Sequence, residues 1–256
     1  MLTFLRNLSV ASALAGAAFV ATPAMAQDEG AVTGPSDFTV SGNVAIVTDY
    51  RFRGVSLSGG DFAIQGGIDV AHSSGFYVGT WASSLDDGGS GLGDMELDVY
   101  GGWSGDIASN LKLDAGLLYY IYPAKDQGFG KSDYFEPYVK LSSQFGPLGA
   151  TLGVAYAWDQ KALGSEDNLY IFTDLEVGIP RTPITLTGHL GYTDGALAPD
   201  YLGGFNNDKT ALDWSIGASA TVLGGLTVGV SYVGVEGKSI KNATNDAVVG
   251  TLSYSF

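Results

Sequence analysis

The sequence predicts an all-β protein: a transmembrane, antiparallel, up-and-down β-barrel of about twelve strands. Three observations predict it. Apolar and polar residues alternate with a period of two from Phe38 onward, long and short connections alternate strictly, and strand charges keep to one parity. Composition agrees. The 256 residues include 38 glycines, 14 tyrosines, 12 phenylalanines and no cysteine, with 15% charged residues and a formal charge of −15. Soluble domains carry ~25% charged residues and ~7% glycine, so this chain is charge-poor and glycine-rich. A chain that is 45% hydrophobic and 12% aromatic is too apolar for a solvated coil. The lack of cysteine removes disulfides, thiolate metal ligands and cysteine nucleophiles. The acidic balance argues against a nucleic-acid partner.

Residues 1–26 read as an address. They hold Arg6, the apolar run from Leu8 to Val20, and then Pro23-Ala24-Met25-Ala26. A basic start, a short apolar core and a small-x-small end describe a cleavable secretory signal, whereas an anchor helix needs ~20 apolar residues. Cleavage after Ala26 and export to a bacterial outer membrane are expected. Residues 27–37 contain Gly30, Gly34 and Pro35 and read as a flexible lead before the barrel, 38–256.

Strands are expected near 38–52, 63–72, 75–84, 95–104, 110–122, 134–145, 149–158, 168–179, 184–193, 212–221, 226–234 and 246–256. Nearly all match the ~9–11 residues that a tilted strand needs to cross hydrocarbon. The odd-numbered connections span nine to eighteen residues and the even-numbered ones five or fewer. That layout belongs to an outer-membrane barrel. A soluble sandwich has no reason to place every long loop at one end.

Once outward parity is set by apolar residues, the charges fall on the other parity. They are Asp49, Arg51, Asp69, Glu96, Asp98, Lys112, Asp114, Glu136, Lys140, Asp174, Glu176 and Asp213. Five strands carry two charges each, and the two agree every time. A lipid-facing basic residue near midplane costs ~2–4 kcal/mol, which makes such segregation a requirement. Facing of the third strand stays open, because Phe76/Val78 compete with Tyr77/Trp81. Aromatics cluster at two heights, as interfacial girdles do. Tyr50, Phe52, Trp81, Tyr119, Phe135, Trp158, Tyr192 and Trp214 fall toward the long loops; Phe38, Trp103, Tyr254 and Phe256 fall toward the short turns.

Several stretches resemble the TorF family, a proteobacterial family assigned as outer-membrane porins with poorly defined substrates. They are Gly42-Asn43-Val44, Thr48 to Ser56 (Thr-Asp-Tyr-Arg-Phe-Arg-Gly-Val-Ser), Ala63 to Gly67, Ser74 to Ser83, and Glu96 to Gly102. The resemblance is specific over 40–102. It implies an outer-membrane barrel and brings no catalytic or binding residues with it. The terminal Phe256 resembles the signal read by the barrel-assembly machinery, which is the expected partner of the last strand.

In a barrel, the lumen would be lined by the twelve charged residues above, by His189, and by Tyr100 and Tyr134. Further inward rings are Tyr120, Tyr122, Tyr138, Tyr170 and Phe172. The acidic excess favours cations in a narrow pore. The rings either stack a solute or constrict the bore, and twelve strands lie between packed eight-strand barrels and open porins. Arg51 and Arg53, at the mouth, are expected to pair with Asp49, Asp69 or Glu96. The pairs Glu96/Asp98 and Asp174/Glu176 only share a face, with no third ligand beside them. Asp86, Asp87 and Asp94 read as a solvated loop. With two histidines and no Gly-x-Ser-x-Gly elbow, enzymatic chemistry is not expected, and no cofactor or metal is implied. The expected function is passive diffusion of small solutes or ions across lipid, with the oligomer undefined. A closed barrel with a structural or adhesive role is the alternative, ahead of a soluble periplasmic sandwich.

Overall fold

The computed structural model describes residues 32–33, 37–86, 91–125 and 130–256. The signal expected at 1–26 and most of the lead lie outside them. Twelve long strands follow one another: β1 (Phe38–Val47), β2 (Ala63–His72), β3 (Phe76–Ser84), β4 (Met95–Ala108), β5 (Leu111–Ile121), β6 (Tyr134–Phe145), β7 (Leu148–Gln160), β8 (Glu166–Gly178), β9 (Ile184–Gly195), β10 (Thr210–Leu223), β11 (Leu226–Val235) and β12 (Ala247–Ser255). Each pairs antiparallel with the next, and β12 pairs with β1 from Thr251–Val47 to Ser255–Asn43. The sheet therefore closes into a twelve-strand barrel, which leaves no unpaired edge in lipid. Val32–Thr33 adds a two-residue pairing to β1 at Val40 and Thr39.

The pleat sends alternate side chains to opposite faces. Outside lie Val44, Ile68, Val78, Val99, Val139, Leu152, Leu175, Leu190, Ile216, Val230 and Leu252, all exposed. Inside lie Asp69, Glu96, Asp98, Glu136, Lys140 and Asp213, all at most 5% exposed. An apolar exterior around a charged interior suits lipid and reverses the layout of a soluble sandwich. On β3, Phe76 and Val78 face out while Tyr77 and Trp81 face in.

Phe135 stacks between Tyr119 and Trp158 on the outer surface near the long loops. Near the short turns, Trp103 donates its indole N–H to the Ser74 carbonyl (2.9 Å). Phe256 closes the barrel seam there, exchanging backbone hydrogen bonds with Gly42 (2.9 and 3.0 Å). Three residues expected in the girdles sit inside instead. Tyr50 and Trp81 are buried against each other edge to face, 5.5 Å apart, and Phe52 packs on Tyr120 at 5.9 Å.

For Tyr50 and Phe52 the reason is a bend. The first strand, expected to reach residue 52, ends at Val47, and the chain turns into the barrel. There Arg51–Phe52 pairs with Val55–Ser56 as a small hairpin. Its turn residues Arg53 and Gly54 have φ of 48° and 78°, the two positive values of a type I′ turn. The fourth long connection also differs from expectation. β7 and β8 run on past a bulge to Gln160–Glu166, leaving only residues 161–165 between them.

Glycine and aromatic richness have one cause inside the barrel. Gly79 lies directly across from Tyr100, Gly116 from Tyr138 and Gly153 from Phe172. At each site an added Cβ would run into the ring opposite. Large inward rings are accommodated because the neighbouring strand supplies no side chain there.

Candidate functional site

The candidate site is the lumen, and its outer half is filled. The first long connection, residues 48–62, folds inward and carries Tyr50, Arg51, Phe52 and Arg53 with it. Asp49 and Arg51 form a pair at its base (Nε to Oδ2, 2.6 Å), and Ser56 donates to the other Asp49 oxygen (2.6 Å). Arg51 Nη1 also donates to the carbonyls of Gly54 (3.0 Å), Ala243 (3.2 Å) and Asn245 (2.8 Å). This ties the hairpin to the last long connection.

Arg53 reaches across the bore. Its Nη2 lies 2.8 Å from both carboxylate oxygens of Glu136 on β6, and the Tyr120 hydroxyl donates to the same carboxylate (3.1 Å). The guanidinium carbon sits 4.1 Å from the Tyr170 ring centre and 4.8 Å from that of Phe52. The partner expected from sequence was Asp49, Asp69 or Glu96; for Arg53 it is Glu136. Local spacing could not indicate an acid 83 positions away whose strand lies across the lumen.

Behind this plug the wall is braced by hydroxyl–carboxylate contacts. The Tyr50 hydroxyl donates to Glu96 (3.3 Å) and the Tyr100 hydroxyl to Asp69 (2.7 Å). The Tyr77 hydroxyl donates to Asp114 (2.5 Å) and meets the Tyr138 hydroxyl. Asp114 pairs with Lys140 Nζ (3.0 Å). On the facing wall, His189 Nδ1 lies 2.6 Å from Asp174, while Nε2 lies 3.0 Å from Asp213 and 2.9 Å from the Tyr170 hydroxyl. Asp98 and Tyr134 are buried in the same upper layer, with Tyr134 stacked on Tyr120. Lys112 and Glu176 sit lower and are half-buried.

The short-turn half is more open. A pocket there is lined mostly by small hydroxyl side chains, Thr187, Ser219, Thr227, Ser231, Thr251 and Ser253, beside Ala218 and Gly229. The lumen thus consists of a hydroxyl-lined vestibule below a packed, charged layer. Among the described residues, no group of three or more His, Asp or Glu could hold a metal ion. Of the acidic loop residues, Asp87 lies outside the described chain.

Residues 31–255 match the family model described as "Bacterial protein of unknown function (Gcw_chp)". The chain belongs to the Gcw_chp family. No curated protein matches it in sequence. Among solved structures it is similar to the NanC porin, with a TM-score of 0.58 and 11% identity over 85% of this chain and 98% of that one. It is also similar to the KdgM porin solved in complex with disordered oligogalacturonate, with a TM-score of 0.54 and 10% identity over 85% and 98%. At such identity the likeness is one of fold. The family match carries the Gcw_chp name and not the TorF name.

Sequence reasoning did not pick out Arg53, Tyr50, Tyr77 and Trp81 as lumen residues. For Tyr77 and Trp81 the pairing register decides the facing, since it sets Trp81 opposite the inward Asp98. For the loop residues, the Arg-Gly pair between two short β-prone stretches was the available cue.

Proposed function

We propose that this protein is a narrow outer-membrane channel for passive diffusion of small solutes and ions, with a preference for cations. The carrying observation is a closed barrel with a lipid-compatible exterior and a charged interior crossed by an inward-folded loop. Nine inward acids (Asp49, Asp69, Glu96, Asp98, Asp114, Glu136, Asp174, Glu176 and Asp213) face Arg51, Arg53, Lys112, Lys140 and the imidazole of His189. In a bore of low-dielectric walls this excess lowers the energy of a cation relative to an anion. The likeness of the fold to the NanC and KdgM porins supports the channel reading, as does the resemblance of residues 40–102 to the TorF family.

On this reading residues 1–26 are removed on export, 27–37 form a lead, and 38–256 span the outer membrane after insertion by the barrel-assembly machinery. No reaction is assigned to the protein, and it needs no cofactor. Recording the purified protein in planar bilayers under a salt gradient tests the proposal, with a reversal potential of the cation-selective sign expected. An anion-selective potential overturns the lumen assignment. The filled outer half favours a second reading, a closed barrel that acts through its loops. In liposome swelling, a closed barrel admits no small sugar, whereas the channel does.

A further inference from the structure

Arg53 is a cation seated in a ready-made receptor. A carboxylate, Glu136, grips its Nη2 at 2.8 Å, and an aromatic face, Tyr170, lies 4.1 Å from the guanidinium carbon. That combination recognises guanidinium and ammonium groups. Two features distinguish it from an ordinary bracing pair. Arg53 adopts φ of 48° at the first turn position, where Asn, Asp or Gly is favoured, so backbone strain is accepted to aim this side chain.

The seat is also incompletely satisfied. Arg53 Nε and Nη1, and Asp98 Oδ1, are buried with no hydrogen-bond partner among the described residues. Unpaired buried polar groups destabilise the state that holds them, so the plugged state is weaker than a fully paired one. With Arg53 withdrawn, the buried Glu136 carboxylate loses the cation that sits 2.8 Å away, and a diffusing cation can neutralise it.

We propose that Glu136, Tyr120 and Tyr170 form a cation-binding site in the lumen, which Arg53 occupies as a tethered plug and which solutes bearing a guanidinium or primary ammonium group take over when the hairpin lifts. This deepens the channel reading and rests on it. In planar bilayers, Arg53→Ala removes the charged hydrogen bond that holds the plugged state and raises the open-to-closed ratio roughly 10- to 100-fold. Millimolar guanidinium chloride then blocks the Arg53→Ala channel, potassium chloride at equal ionic strength does not, and Arg53→Ala/Glu136→Gln escapes block.

Equal guanidinium block of both variants overturns the site, and so does an Arg53→Ala channel that behaves as wild type. A barrel lacking residues 51–56, checked as folded by heat-modifiable migration on a gel, separates the two levels. If it passes no current, the channel reading itself fails. If it conducts while Arg53→Ala is silent, only the cation seat fails.

Discussion

Replacing Val139 by arginine probes which face of the sheet meets lipid. Val139 lies on the outer face of β6, 47% exposed, between Val154 and Ala115 of the flanking strands. Phe135 and Phe145 mark the two ends of that face. Ten residues at ~3.3 Å each, tilted by about 40°, give roughly 25 Å between those rings, the height of an outer-membrane apolar band. Val139 then lies about 10 Å below the upper girdle, close to midplane. A guanidinium there is expected to destabilise the folded barrel by ~2–4 kcal/mol. The next residue, Lys140, supplies the contrast: a cation at the same depth is stable when it points inward to Asp114 at 3.0 Å. Reversible denaturant unfolding in lipid vesicles measures the difference. A Val139→Arg barrel within about 0.5 kcal/mol of wild type, the ordinary scatter of surface substitutions, would refute the assignment of this face to lipid.

Other outcomes follow from the same geometry. Gly54→Val should unseat the hairpin, since Gly54 has φ of 78° and an added Cβ falls 2.6 Å from Val235 Cβ; conductance should rise with no change in lumen charge. Asp114→Ala strips a carboxylate from the buried Lys140 ammonium while the Tyr138 ring stays 5.2 Å away, so a loss of about 3–5 kcal/mol is expected in the same unfolding assay. In single-tryptophan variants, brominated lipid should quench Trp103, Trp158 and Trp214 and leave Trp81 bright, because Trp81 is only 6% exposed and faces the lumen. Intact-mass measurement of the exported protein should place its first residue at Gln27.

Much of this architecture is legible in the chain because pleating is local. Side-chain direction alternates residue by residue whatever the strand pairs with, so Glu96 and Asp98, or Asp174 and Glu176, declare a shared face from spacing alone. Strand limits were also close: 63–72 and 134–145 coincide with β2 and β6. The same logic failed at the first long connection. Tyr50 and Phe52 continue the alternation of β1 on paper, but alternation carries no information about where the strand stops. Trp81 misled for a related reason, since an aromatic near a strand end suits either a lipid interface or a ring-filled lumen.

By itself the sequence determined a closed, lipid-facing sheet and the acidic character of what it encloses. A residue's neighbours two positions away already decide which side it must take. Only the tertiary structure decided that residues 51–56 fold inside, that Arg53 meets Glu136 and Tyr170, and that the outer half is packed while the short-turn half stays open. Those contacts join strands that become neighbours across the bore only after closure. Their energy depends on distances through space that no spacing along the chain encodes.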